Sequence, residues 1–286
     1  MSVQKYLDNS PDLKGQEIIV TGGTSGIGLC LVYHLLYKGA KVIVLARNKK
    51  KALEVKNKLL EKYPDGSIDF VKYDQSNEES IKAASEVIAR EYPRFDAIVL
   101  NAGVFCPNQE KDEMSLTIKT NFVGLYLFLE NLLPKLEGKH RFIIQGSFVA
   151  GWRNKKINSL KDKKLSGFQQ YIISKSGVEA LFYHYSSLNE NQDFSFLLCE
   201  PGLTSTDIVR DLKTPIRQLG KLFMKIVSHS PYKAALTALK CLDSSLPNGT
   251  YVVPRGFMAY MGYPKIKRFP KKRRREHLYN LLSDFQ

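Results

Sequence analysis

Four cysteines in 286 residues, at positions 30, 106, 199 and 241, stand too far apart for any C-x-x-C pair. Reduced thiols are therefore the expectation, and a disulfide framework is not. The five histidines are equally scattered, with no H-E-x-x-H and no ligand spacing, so no metal site is expected. No stretch approaches the roughly 18 uninterrupted apolar residues of a membrane-spanning helix. The opening "MSVQKYLDNSPDLKGQE" holds no hydrophobic signal segment, and a cytoplasmic location is expected. Low-complexity tracts, fixed-period repeats and Pro- or Gly-rich linkers are missing too, which favours one domain over residues 1–286.

Charge is what the chain has in excess: 43 Lys and Arg against 28 Asp and Glu, for a net +15. Eight of those basic residues fall in Lys265–Arg275, "KIKRFPKKRRR", which has no acidic residue. The chain thus reads as a moderately basic body with a strongly basic tail, 265–286. In "KKRRREHLYNLLSDF" the apolar positions 278, 281, 282 and 285 share one helical face. Such a helix is expected to close its own domain. Contact of the tail with an anionic membrane surface stays open, as does a homo-oligomer. Nucleic acid is not an expected partner, because no recognition fold accompanies the charge.

Short β-branched runs alternate with amphipathic segments: "EIIVT" (17–21), "KVIVLA" (41–46), "IDFVKY" (68–73), "FDAIVL" (95–100), "RFIIQG" (141–146), "FSFLLCE" (194–200) and "GTYVV" (249–253). Continuous apolar runs without polar alternation suit parallel strands covered on both faces. The fold class expected is α/β: a doubly wound, seven-stranded parallel sheet with helices on both faces.

"TGGTSGIG" (21–28) lies between the first strand and the first helix. Gly22, Gly26 and Gly28 permit a sharp turn and close approach, with Thr24, Ser25 and Ile27 between them. The helix N-terminus offers N–H groups and partial positive charge to a pyrophosphate. No Lys-Ser/Thr follows, so the loop is not a nucleotide-triphosphate P-loop. At the end of the second strand "LARNKKK" carries no carboxylate for a ribose 2′-hydroxyl, while Arg47, followed by Asn48, suits a 2′-phosphate. NADP is therefore favoured over NAD. Farther along, "GFQQYIISKSGVEALFYHY" (167–185) places Tyr171 and Lys175 four residues apart on one helical stripe. Packing alone accounts for such a pair, and so does chemistry.

Taken in order, these motifs resemble the short-chain dehydrogenase/reductase family over essentially the whole chain. T-G-x-x-x-G-x-G is Thr21–Gly28, and the acidic residue after the third strand is Asp74, followed by Gln75. N-A-G is Asn101, Ala102 and Gly103, and the asparagine of the next helix is Asn121 in "KTNFVG". The serine after the fifth strand is Ser147, Y-x-x-x-K is Tyr171 to Lys175, and P-G is Pro201-Gly202. The end "NGTYVVPRGFMAYMGYPK" is similar to the subgroup of retinol dehydrogenases and protochlorophyllide reductases. Two features depart from the compact members: 24 positions separate Ser147 from Tyr171, and Leu100 precedes N-A-G. The subgroup carries similar insertions, and Leu100 implies a local packing change only.

The resemblance implies a Rossmann fold with strand order 3-2-1-4-5-6-7 and an NADP(H)-dependent oxidoreductase interconverting an alcohol and a carbonyl. Tyr171 would be the general acid/base, with Lys175 lowering its pKa and holding the nicotinamide ribose. Ser147 would bond the substrate oxygen, and Asn121 a water leading from Lys175 to solvent. Asp74 would touch adenine, and Thr204 and Thr206 the nicotinamide end. A flap over 203–228 would cover a small hydrophobic substrate, with Phe148, Trp152, Phe168, Phe223 and Met224 lining an apolar cavity. Two rivals remain: an NADP-binding sensor or scaffold without turnover, and a sugar-nucleotide epimerase or dehydratase. The intact Ser-Tyr-Lys set weighs against the first; the glycine spacing and lack of a large C-terminal domain weigh against the second.

Overall fold

Branched apolar residues place Ile18 and Val20 on one face of strand β1 (Glu17–Thr21) and Ile19 on the other. Strand β2 (Lys41–Ala46) divides in the same way, Val42 and Val44 against Ile43 and Leu45. Both faces are buried, so these strands carry almost no polar alternation. The computed structural model describes residues 1–107, 109–152, 157–187, 193–204, 229–256 and 261–285.

The remaining strands are β3 (Ile68–Lys72), β4 (Ala97–Leu100), a small antiparallel hairpin of β5 (Glu110–Lys111) and β6 (Met114–Ser115), then β7 (His140–Gln145), β8 (Phe194–Cys199), β9 (Tyr251–Pro254) and β10 (Pro264–Lys267). The main sheet runs β3-β2-β1-β4-β7-β8-β9-β10. Its first seven strands are parallel in the expected order. An eighth, β10, pairs antiparallel with β9, Lys265 opposite Val253. The sequence reading placed Lys265 onward in a tail, on the run of eight basic residues over Lys265–Arg275. Backbone pairing with β9 needs no apolar alternation at a sheet edge.

Helices α1 (Val3–Asp8), α2 (Gly26–Tyr37), α3 (Lys49–Lys62) and α4 (Glu78–Glu91) follow. Asn48 and Asn77 cap the last two, each side chain accepting an N–H three residues on. Pro64 stops α3, as its fixed φ and missing N–H require. The long helix expected after β4 is divided: α5 (Leu116–Ile118), a π-helical turn (Lys119–Val123) and α6 (Gly124–Leu132). The 21-residue α7 (Gly167–Ser187) precedes β8.

One core joins the sheet to α4, α6 and α7 through Ile81, Phe122, Phe128, Phe142 and Phe182. The other joins it to α2, α3 and residues 234–246 through Leu31, Leu35, Leu59 and Leu236. The polypeptide ends on the first core, with Leu278 and Leu282 buried and Leu281 and Phe285 packed against it. The apolar positions of the basic tail are therefore covered by the protein itself. No described helix is long and apolar enough to cross a membrane.

Candidate active site

Every strand of the parallel sheet points its C-terminal end at one edge, and the turns leaving that edge hold the expected site residues. After β1, Gly22 and Gly26 adopt φ of +71° and +54°, which a side chain would strain. A Cβ on Gly28 would stand 2.4 Å from the Gly22 carbonyl oxygen. Ser25 is the exposed N-cap of α2 and makes no side-chain capping bond, and a Cβ on Gly26 would meet nothing within 4 Å. The head of a 12-residue helix thus faces open space with its first N–H groups free of intrahelical partners. These residues fit a dinucleotide pyrophosphate.

Asn101 ties this loop to the centre of the sheet. Its Nδ2 donates to the Thr21 carbonyl (2.9 Å), and its Oδ1 accepts from Gln145 (2.8 Å). Ala102 N–H donates to Thr21 Oγ1 (2.9 Å). Leu100 is buried in its strand, as its apolar character implied. The side chain of Gln75 is also committed internally, donating to the Thr120 carbonyl (2.8 Å), and Asn48 caps α3. What Asn48, Gln75 and Asn101 can offer a ligand is chiefly backbone. Asp74 accepts from Ser76 N and Oγ at 2.9 and 2.8 Å. Burial pushes its carboxyl up, but these two bonds, Arg47 and Lys111 together outweigh it and lower the pKa. Exposed Arg47 therefore lies within electrostatic reach of Asp74, at the edge where the adenosine end is expected.

Ser147, Tyr171 and Lys175, far apart in sequence, converge. All three are buried, and the Ser147 hydroxyl lies close enough to the Tyr171 phenol to favour its ionised form. Lys175 Nζ donates to the Gln145 carbonyl at 3.4 Å, two residues before Ser147. A Cβ on Gly103 would lie 3.3 Å from Asn121 Oδ1 and 3.4 Å from Lys175 Nζ, so only glycine passes between them comfortably. Asn121 sits in the π-helical turn. Its amide accepts from Val104 N (2.7 Å) and donates to Val104 O (2.9 Å) and Ser174 Oγ (3.1 Å). Widened helical turns of this kind often mark functional sites.

Within the protein alone, burial dominates the titration of both Tyr171 and Lys175. Burial pushes Tyr171 up to about 12, opposed by the Ser147 hydrogen bond. Burial likewise pulls Lys175 down to about 8, opposed by Cys199.

Pro201 and Gly202 (φ +77°) leave β8, and Thr204 forms an isolated parallel bridge with His229. The His229 Nε2 lies 2.6 Å from the Pro201 carbonyl oxygen. Thr206, Phe223, Met224 and residues 205–228 of the expected flap lie outside the described residues. Of the proposed cavity aromatics, Trp152 and Phe168 are 44 % and 46 % exposed. They form an edge-to-face ladder with Phe148, ring centroids 6.0 and 5.6 Å apart. Phe105, unremarked in the sequence, stands edge-on to Tyr171 at 5.3 Å.

Sequence reasoning also missed a charged cluster behind the site. Arg273 Nε donates to Glu179 Oε2 (2.8 Å), and its Nη2 donates to both Glu179 and Glu200. It also reaches the Tyr251 hydroxyl (3.0 Å) and the Ser147 carbonyl oxygen (3.4 Å). Two carboxylates within apolar runs, in "SGVEALF" and "FSFLLCE", were the available signal, since buried acids require a cation.

The model of the short chain dehydrogenase family matches residues 16–216. An uncharacterized oxidoreductase of Schizosaccharomyces pombe is 37% identical over 251 residues, spanning 82% of this chain and 74% of its own. A solved short-chain type dehydrogenase/reductase from Mycobacterium ulcerans superposes with TM-score 0.69 at 20% identity, covering 89% of this chain and 94% of its own. A short chain dehydrogenase from Burkholderia cenocepacia, solved in complex with NADP, gives 0.62 at 18% identity, covering 81% and 92%.

Proposed function

The chain belongs to the short-chain dehydrogenase family, and from that premise we propose that it is an NADP(H)-dependent oxidoreductase interconverting a hydrophobic alcohol and its carbonyl. The observation that carries this reading is the convergence of buried Ser147 and Tyr171, the serine hydroxyl acting on the phenol, with Lys175 one turn along the same helix. A nicotinamide cofactor, when bound, supplies or accepts the hydride and in its oxidised form brings a positive charge.

In reduction, Tyr171 gives its proton to the substrate oxygen, a role that suits a phenol held protonated by burial. Ser147 donates a hydrogen bond where negative charge gathers on that oxygen. In oxidation Tyr171 takes the proton back, and neighbouring positive charge is what makes its phenolate accessible. Lys175 supplies part of that charge and holds the ribose; Asn121 keeps the widened turn against Gly103 and Lys175. Gly22, Ser25, Gly26 and Gly28 cradle the pyrophosphate, and Arg47 takes the 2′-phosphate. The NADP in the Burkholderia structure and the lack of a carboxylate after β2 support that preference. Phe105, Phe148, Trp152 and Phe168 support an apolar substrate.

A panel of retinoid, steroid, lipid and small polar carbonyls and alcohols, followed by NADPH absorbance, tests the reading. Tyr171→Phe is expected to lose at least about a hundredfold in turnover while still binding NADPH. Turnover retained within tenfold refutes the role of Tyr171. Equal or tighter NAD binding refutes the cofactor preference, and turnover of small polar substrates alone refutes the substrate class.

A further inference from the structure

We infer that Arg273 is a positioning residue, which locks the serine-bearing turn to the tyrosine-bearing helix and so sets the distance between the two hydroxyls. The inference rests on the oxidoreductase reading above. Tyr171, Lys175 and Glu179 recur every four residues, forming one stripe of α7. Arg273 grips the far end of that stripe with a two-point bond to Glu179, and the same guanidinium reaches the Ser147 carbonyl. Its contact with Glu200 adds the residue just before Pro201-Gly202. One planar fork thus joins three turns that leave the sheet separately.

Arg275 holds the other end of the same turn. Its Nη1 donates to the Ala150 carbonyl and to Ser176 Oγ (2.6 Å), and its Nη2 to the Trp152 carbonyl (3.3 Å). The 3₁₀ turn Phe148–Gly151 therefore has its flanking carbonyls held by two guanidiniums and its hydroxyl facing Tyr171. The cluster is charged and buried, which makes it a costly way to gain stability alone. Replacing such a group by apolar residues of like volume is commonly neutral or stabilising. Burial pushes Glu200 up, opposed by the Tyr251 hydroxyl and Lys267, so the acid bears a desolvation cost in this cluster. A fixed geometry, rather than net stabilisation, is what a forked donor supplies here.

The test is Arg273→Lys in the full chain. Lysine keeps the charge but is a point donor that cannot bridge Glu179, Glu200 and Ser147 together. Three measurements are made: NADPH affinity, steady-state kinetics on the best substrate of the panel, and hydrogen–deuterium exchange across residues 146–152. The expected result is faster exchange confined to that segment and kcat lower by about tenfold or more, since small misplacements of reacting groups are expensive. KM and NADPH affinity stay within about threefold. Unchanged exchange at 146–152 overturns the inference, as does faster exchange with undiminished kcat, or a kcat loss that only follows the folded fraction. If the lysine variant does not fold, the charge-free variant Glu179→Gln/Glu200→Gln/Arg273→Met replaces it; wild-type kcat there overturns the inference, and a selective kcat loss supports it. A wild-type protein that turns over nothing refutes the oxidoreductase reading. The exchange measurement still decides whether Arg273 holds the turn.

Discussion

Lys175 carries an ammonium in a place that disfavours it, and this gives the residue a thermodynamic signature. Its pKa falls from 10.5 to about 8 by burial, so between those values the unfolded chain binds more protons than the native one. Stability then rises with pH across that window, and below about pH 8 the full penalty applies. Cofactor-free protein is expected to gain about 2 kcal/mol relative to Lys175→Met between pH 7.5 and pH 10 in urea unfolding. Parallel pH profiles for the two proteins would contradict the assignment. Tyr171 contributes the opposite slope, but only as pH rises from about 10 through about 12. Sequence motifs pointed to Ser147 and the glycine loop because each directly follows a strand, and to Tyr171 and Lys175 through their four-residue helical spacing. They carry no measure of desolvation, which raises the Tyr171 phenol within the protein alone. Arg273 was hidden for another reason: within eight basic residues, a buried cation looks like its solvated neighbours.

Helix α7 presses on the π-helical turn at one point. A Cβ on Gly177 would lie 2.4 Å from Phe122 Cγ, and Phe122 is fully buried. On an exposed helix, Gly→Ala gains about 1 kcal/mol. Here the methyl must displace an aromatic ring in a packed core, which costs about 1–3 kcal/mol. Gly177→Ala is therefore expected to destabilise by about 1 kcal/mol or more in urea unfolding. A stabilised variant would show that the contact yields freely. Strands and most helices were legible from apolar period and caps. The break between α5 and α6 was not, because one extra residue in a turn leaves no distinct mark on the mixed polar and apolar run "LTIKTNFVGLYLFLENLL". The β5–β6 hairpin, two residues a side, is too short to show any alternation.

Over the whole molecule, the segment 264–286 finishes what earlier segments began. Deleting residues 264–286 removes β10, both guanidiniums and the buried Leu278 and Leu282. Glu179 and Glu200 would then lie buried beside no arginine, a loss of about 3–5 kcal/mol for one broken pair, against a total stability of only about 5–15 kcal/mol. The truncated protein is expected to be insoluble or to melt without cooperativity. A soluble product melting within a few degrees of the full chain would show the segment to be an appendage. Averaged charge misled the sequence reading on this segment: exposed Lys271 and Lys272 adjoin buried Arg273, and composition weighs them alike.

Strand β10 has one more effect. It presents Pro264, which has no N–H to give, and exposed Lys265 and Lys267 along the outer rim of the sheet. A foreign β-strand approaching that rim would meet a missing donor and two like charges. Without it, β9 would offer neighbouring molecules a bare apolar ladder, "YVV", to zip onto. The closing antiparallel strand thus replaces an apolar sheet edge with a charged one.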